Sequence, residues 1–428
     1  MKYMFLGMLA AYLAGNVYVF VHMWRSLHLF SPFFRWLCAP LFWFAALSLF
    51  IALFARDLPL PDSFFRITYN LGSVWMVFTL YMVIVLLVVD LSGLFFPLLR
   101  RYAVFSFAAA FLAVVVLLLW GYVNYLNPRV ERIVLDFSSR AASADGAQAS
   151  ADGAQLRDSA SADAALLRDS ASEDVALLRN SASGDGARSH DSGAHLRIVA
   201  VSDLHLGYAT GKKALQKYVG KINSLHPDVV LIGGDLIDNT VKPLFVERMW
   251  EELGQLEAPG GIYMVPGNHE YISGIDSVME FISRTPIVIL RDSVAALPEG
   301  VVIVGRDDRS NRGRKSLEML KQEAVAVAGT DAVAGAVSGN GPVVILMDHQ
   351  PYELFEKDSL GFDVQFSGHT HRGQVWPMSL LVDKMYPQSH GYRKWNNSHV
   401  VVSSGLSLWG PPFRIGTNSD LWVIDLKL

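Results

Sequence analysis

Two histidines one residue apart, His369 and His371, sit in "SGHTHRGQ" directly after the apolar run "FDVQF". In an extended strand, residues i and i+2 share a face, so the two imidazoles would point the same way and converge on one point. An isolated H-x-H is as readily a polar loop, because imidazole ligation of a metal needs partners from elsewhere in the chain. Such partners exist. From Arg197 onward, apolar runs end in polar, glycine-flanked turns. "RIVAVSDLHLG" ends in Asp203 and His205, "DVVLIGGDLID" in Asp235 with Asp238 following, "GIYMVPGNHEY" in Asn268, His269 and Glu270, and "PVVILMDHQPY" in Asp348 and His349. The single cysteine, Cys38, lies in an apolar segment, which excludes a disulfide framework and a thiolate zinc cluster. Any metal here must be held by His, Asp, Glu, Asn or Gln, and such nitrogen and oxygen ligation suits Mn, Fe or Zn better than Mg or Ca.

The elements that must position these residues are strands with helical patterns such as "KALQKYVGKINSL" and "VERMWEELGQL" between them. Buried sheets with interposed helices carry ligand sites at the carboxyl ends of their strands, so five strand ends share one rim. Taken singly, Asp203, Asp235 or Asn268 fits a turn or a helix cap, and His349 or His371 fits a satisfied structural histidine. Taken together the balance reverses, since burying this many polar groups without cations is costly.

The ordered set D-x-H, G-D, G-N-H-E, H and G-H-x-H resembles the calcineurin-like metallophosphoesterase superfamily, over Leu196 to Leu428. "GNHEY", "DHQPY", "SGHTHRGQVWP" and "SSGLSLWGPPFRIG" look like its membrane-anchored bacterial branch. The resemblance implies an α/β fold of two packed mixed β-sheets flanked by helices, and a binuclear metal-dependent phosphohydrolase. It implies two divalent metal ions, one held by Asp203, His205, Asp235 and His371, the other by Asp235, Asn268, His349 and His369. A carboxylate shared between them would offset the repulsion of two close cations, and water bound there would be deprotonated for attack on phosphorus. His269 would approach the leaving oxygen as a general acid or electrostatic stabiliser. Glu270 and Asp238 are expected to orient ligands. Arg372, where many relatives carry glycine, and His390 are candidate substrate contacts; Trp409 is a candidate substrate platform or a core residue.

The first 126 residues hold four long apolar runs, about Tyr3 to Trp24, Trp36 to Ala55, Leu71 to Val89 and Ala103 to Tyr125. Each approaches the ~20 residues that cross a bilayer as a helix, which predicts an all-α transmembrane anchor over 1–126. Four crossings return the chain to its starting side. The compact loops on the far side carry Arg25, Arg35, Arg100 and Arg101, and the near side carries Lys2, Arg56, Arg66, Arg129 and Arg132. By the positive-inside rule the compact basic loops of the far side predict a catalytic domain outside the cytoplasm, and the bacterial branch that the chain resembles implies the inner membrane. Residues 127–139 read as the first strand of the catalytic domain, and 196–428 as its body. Between them, 140–195 repeat an Ala/Ser/Asp-rich unit with Arg157, Arg168 and Arg179 spaced 11 apart. Two leucines per unit bury too little apolar area to offset ordering costs of roughly 1–2 kcal/mol per residue, which predicts a disordered insertion. A formal charge of −4 without a Lys/Arg cluster argues against nucleic acid as a partner. The expected partners are the membrane and a phosphorylated small molecule or lipid-linked phosphate. The rival expectation is a non-catalytic membrane scaffold or sensor that keeps the metal site.

Overall fold

The computed structural model describes residues 2–55, 58–96, 103–138, 195–328 and 341–428. The 11-residue repeat therefore lies outside the described residues.

Four helices come first: α1 (Lys2–Ser26), α2 (Pro32–Phe54), α3 (Asp62–Phe95) and α4 (Ala103–Tyr125). Each contains a stretch long and apolar enough to cross a membrane. Their surface inverts that of a soluble bundle, with Leu87, Val88, Leu91, Leu94, Leu119, Trp120 and Val123 all exposed. The polar groups lie inside instead. Buried Asn16 of α1 accepts hydrogen bonds from Trp75 Nε1 (2.9 Å) and Thr79 Oγ1 (3.3 Å) of α3, which ties the two helices where no water competes. At 1.5 Å per residue the 34 residues of α3 extend about 50 Å, beyond the ~30 Å of a hydrocarbon core. Its first turns meet the second region, Arg66 pairing with Glu247 and Tyr69 with Asp238.

That region is built on two six-stranded sheets. The first runs β1 (Arg129–Asp136), β12 (Asp420–Lys427), β2 (His195–Val201), β3 (Val229–Ile232), β4 (Ile262–Met264) and β5 (Ile287–Ile289). The second runs β10 (Gly391–Lys394), β11 (His399–Val402), β9 (Val364–Ser367), β8 (Val343–Met347), β7 (Val301–Gly305) and β6 (Ser293–Leu297). Both are mixed: β2, β3, β4 and β5 pair in parallel, as do β7, β8, β9 and β11, while β12 against β2 and the edge pairs β10–β11 and β6–β7 are antiparallel.

The inner faces bury one core that includes Ile198, Ala200, Val229, Leu231, Ile303, Ile345, Val364, Phe366 and Ile424. Helices Lys212–Asn223 and Ile275–Ile282 cover the outer face of the first sheet through Leu215, Val219, Val278 and Phe281. Helix Leu317–Ala328 covers the second through Leu317, Leu320 and Ala324. Strands buried on both faces explain the unbroken runs VVLI and VVILM, which show none of the alternation of a half-exposed strand. The expected two packed mixed sheets flanked by helices are present, together with four apolar N-terminal helices.

Candidate metal centre

The five sequence-predicted turns meet at the carboxyl ends of β2, β3, β4, β8 and β9, where the edges of both sheets face one another. Asp203, His205 and His371 form one trio of ligand atoms within 4.8 Å of one another, and Asp235, His349 and His369 form a second. In the first, His205 Nε2 and His371 Nε2 lie 3.0 Å apart, with Asp203 Oδ1 3.4 Å from His371 Nε2. Asp235 Oδ2 stands between the trios, 3.2 Å from His349 Nε2 and 3.8 Å from His205 Nε2. Asn268 opens the short helix Asn268–Ile272, and its buried Oδ1 has no hydrogen-bond partner.

The strand geometry expected for His369 and His371 does not hold. β9 ends at Ser367; His369 follows in a loop and His371 starts a 3-10 turn, so strand alternation does not govern them. They part to different trios. Asp203 and His205 likewise lie beyond the end of β2, yet share a trio. The common device is backbone conformation: Asp203, His205, Asp235, His369 and His371 all have positive φ, between 44° and 72°. Left-handed backbone costs a non-glycine residue roughly 1–3 kcal/mol and persists where the surroundings enforce it. Here it takes these donors out of strand alternation, so that Asp203 and His205 share a trio while His369 and His371 part to two. Two glycines permit the close approach: a Cβ on Gly267 would overlap Asp235 Oδ1, and one on Gly368 would overlap Ser202 Oγ and Asp203 Oδ2.

Electrostatics show what the cluster lacks. Burial pushes the Asp203 carboxyl up, and the neighbouring Asp235 charge adds to this. Burial opposes ionisation of Asp235 too, but the charge and hydrogen bond of His349 hold it well below the ordinary range. His349 is in turn held well above its usual value against burial, chiefly by Asp235, and His205 is raised by Asp238, Asp235 and Asp203 against the same penalty. Burial pushes His369 down to about 4, and lowers His371 with help from the charge on His205. Buried carboxylates here call for positive charge, and an N/O donor set that is pre-turned, buried and partly unpartnered fits divalent cations.

Around the trios, His269 Nδ1 lies 2.7 Å from the Asp238 carbonyl and donates to it, leaving Nε2 as the free nitrogen. Asp238 also accepts from Tyr69 of α3 at 2.8 Å. Glu270 accepts from the backbone N–H groups of Asp235 (2.9 Å), Ile237 (3.0 Å) and Gly267 (2.6 Å), so it clasps the ligand-bearing loops rather than a ligand side chain. Burial raises its carboxyl to about 7. Asp348 turns away into a buried network with Lys357 Nζ (2.9 Å) and Arg306 Nη1 (3.4 Å). Trp409 is 44% exposed, with its ring 6.5 Å from that of His269, so it is a surface group beside the trios and not core. His390 contacts Ser389 Oγ (2.9 Å), and Arg372 follows His371 with φ 50° and a buried, unpartnered Nε.

Sequence inspection passed over Asp308. It is buried at the end of β7, accepts from Gln350 Nε2 at 2.7 Å, and its charge acts on both His349 and His369. The signal was available: "VVIVGRDD" repeats the pattern of an apolar run ending in carboxylates.

The calcineurin-like phosphoesterase family model matches residues 196–373. An uncharacterized metallophosphoesterase of Helicobacter pylori is 32% identical over 233 residues, covering 54% of this chain and 60% of its own. A transmembrane protein with metallophosphoesterase domain from Danio rerio is 34% identical over 242 residues, covering 54% of this chain and 53% of its own. The UDP-2,3-diacylglucosamine pyrophosphatase LpxG of Chlamydia trachomatis is 25% identical over 218 residues, covering 42% of this chain and 66% of its own. The chain thus spans between half and two thirds of the length of these relatives. Residues 196–373 thus match the calcineurin-like phosphoesterase family, and over about half of its length the chain is similar to metallophosphoesterases.

Proposed function

We propose that this protein is a membrane-anchored, binuclear metal-dependent phosphohydrolase. Asp203, His205, Asp235 and His371 would hold one divalent cation, and Asp235, Asn268, His349 and His369 the other. The observation that carries the reading is the position of Asp235 Oδ2 between two trios of imidazole and carboxylate donors, buried except for the half-buried His369. Divalent cations bound there supply Lewis acidity toward phosphoryl oxygens and lower the pKa of coordinated water.

The chain's own residues do the rest. Asp235 supplies the negative charge shared by both trios. The Asp238 carbonyl fixes His269 in the tautomer with its proton on Nδ1, so that Nε2, once protonated, can deliver a proton to the leaving oxygen. Glu270 keeps the Asp235 and Gly267 loops in register, and Trp409 offers an aromatic face beside His269. The substrate class is a phosphoester or pyrophosphate. The membrane anchor, and a relative named as a pyrophosphatase of an acylated sugar nucleotide, favour a lipid-linked one. The anchor occupies 1–126 and the catalytic domain 127–139 with 196–428, on the extracytoplasmic side of the membrane.

Purified protein in detergent with Mn²⁺ is expected to hydrolyse bis-p-nitrophenyl phosphate. His269→Ala should lower turnover by about 10²–10⁴-fold with bound metal unchanged, the range for losing a positioned acid. Asp235→Asn should lower both turnover and bound metal. Wild-type turnover in both variants would sink the assignment, and a protein that binds metal yet turns over no phosphoester would favour the scaffold.

A further inference from the structure

Val375, Phe413 and Ile415 of the phosphoesterase region belong to the same buried cluster as Val77, Tyr81, Val114 and Leu118 of the apolar helices. The contacts are close. Tyr81 Oη donates to the Trp376 carbonyl, Arg414 N donates to the Gly121 carbonyl (3.0 Å), and Asn124 Nδ2 donates to the carbonyls of Arg414 and Thr417 (2.9 Å each). A Cβ on Gly121 would overlap Ile415 Cγ1, so the loop lies flat on α4. Gly121, which meets Ile415 and Arg414, stands 4 residues before the end of α4, about 6 Å along its axis. At the same level the outward face of α4 presents Leu119, Trp120 and Val123 to its surroundings. These loops therefore sit at a depth where the helices are dressed for hydrocarbon.

From that level the chain passes through Trp376 into helix Met378–Met385. Trp376, Met378, Leu380, Leu381 and Met385 are exposed, while Ser379 is buried. Met378, Leu381 and Met385 fall on one stripe of the helix at i, i+3 and i+7. Lys384 flanks that stripe, as a snorkelling residue does, and Asp383 on the other face bonds Ser389. Tyr386 follows at once; its ring lies 6.4 Å from that of His369, and its hydroxyl meets Tyr352 Oη at 3.0 Å.

We infer that Trp376–Met385 is an interfacial membrane element, seated in the headgroup and upper acyl layer of the leaflet the anchor spans, and that it brings the mouth of the metal centre to the lipid headgroups. Its occupant is lipid, because the exposed stripe continues from the helices that cross the membrane and lies at the depth of their apolar belt. It does not depend on which reaction the site performs.

Cys38 is the single cysteine, so a Cys38→Ser background accepts a site-directed nitroxide at Leu381→Cys or Met385→Cys. In reconstituted vesicles, power-saturation EPR should show both labels more accessible to oxygen than to a water-soluble nickel chelate, about 5–10 Å below the phosphates. A label at Val325→Cys, exposed on the outer helix of the second sheet, should be reached by the chelate. Chelate access at 381 and 385 equal to that at 325 would overturn the inference. Exclusion of both reagents there would also overturn it, since another protein or a second copy would then cover the helix.

Discussion

A carboxylate that does no chemistry illustrates how single residues hold this architecture. Asp358 accepts hydrogen bonds from Asn396 Nδ2 (2.9 Å) and from the N–H groups of Asn397 (2.8 Å) and Ser398 (3.0 Å), pinning the turn between β10 and β11. Burial opposes its ionisation, but these donors win and hold its carboxyl below the ordinary value. A depressed carboxyl contributes stability that is present above its unfolded pKa of about 3.9 and is lost as pH falls through the folded value. Asp358→Asn should therefore cost about 1–2 kcal/mol at neutral pH and flatten the loss of stability below about pH 4, checked by thermal melts across pH. Glu270 holds more. Glu270→Ala strands three buried N–H groups and is expected to cost at least about 3 kcal/mol, visible as a lower melting temperature together with weaker metal retention. At this scale the sequence was informative about which residues gather, because each donor sits at a strand end whose apolar run announces it. Their backbone was not legible. Nothing in "DLH" or "HTH" marks a left-handed turn, so the strand argument sends His369 and His371 to one point whereas they part to two trios.

Among the elements, the individual strands and the four apolar helices were readable from apolar run length, whereas the packing of the strands into two sheets was expected from the family resemblance. What joins them was not, because the joint is made of isolated contacts between residues far apart in the chain. Tyr69 of α3 meets Asp238, Arg66 pairs with Glu247, and Gly121 of α4 admits Ile415. None of these pairs has a periodicity to betray it. Gly121→Leu should force the 413–417 loop off α4. Because Arg414 of that loop donates to the His371 carbonyl (2.7 Å), the substitution should lower metal affinity as well as thermal stability, while Gly7→Leu, on an open face of α1, should alter neither. Equal metal affinity in both variants would show that the loop and α4 are energetically independent.

For the whole molecule, the helices are part of the two-sheet region's packing rather than a detachable tether. Residues 127–428 expressed without the first 126 would expose Val375, Phe413 and Ile415 beside the already exposed Trp376, Leu380 and Leu381. A contiguous apolar patch of this kind drives association, so the truncated protein is expected to elute as aggregate or to need detergent for monodispersity in size-exclusion chromatography. The composition forecast an anchor. In three dimensions these apolar helices complete a core with Val375, Phe413 and Ile415.

The pairing of the first sheet also bears on how the gene can be edited. Asp136 at the end of β1 and His195 at the start of β2 both lie opposite Lys427 on β12, so the polypeptide departs and returns at points two strand spacings apart, about 10 Å. A doorway that narrow accepts a guest domain whose own termini are adjacent, at little entropic expense whatever the guest's size. A fluorescent protein spliced between Ser138 and His195 in place of the native segment should report on the living molecule without lowering the phosphoester hydrolysis proposed above.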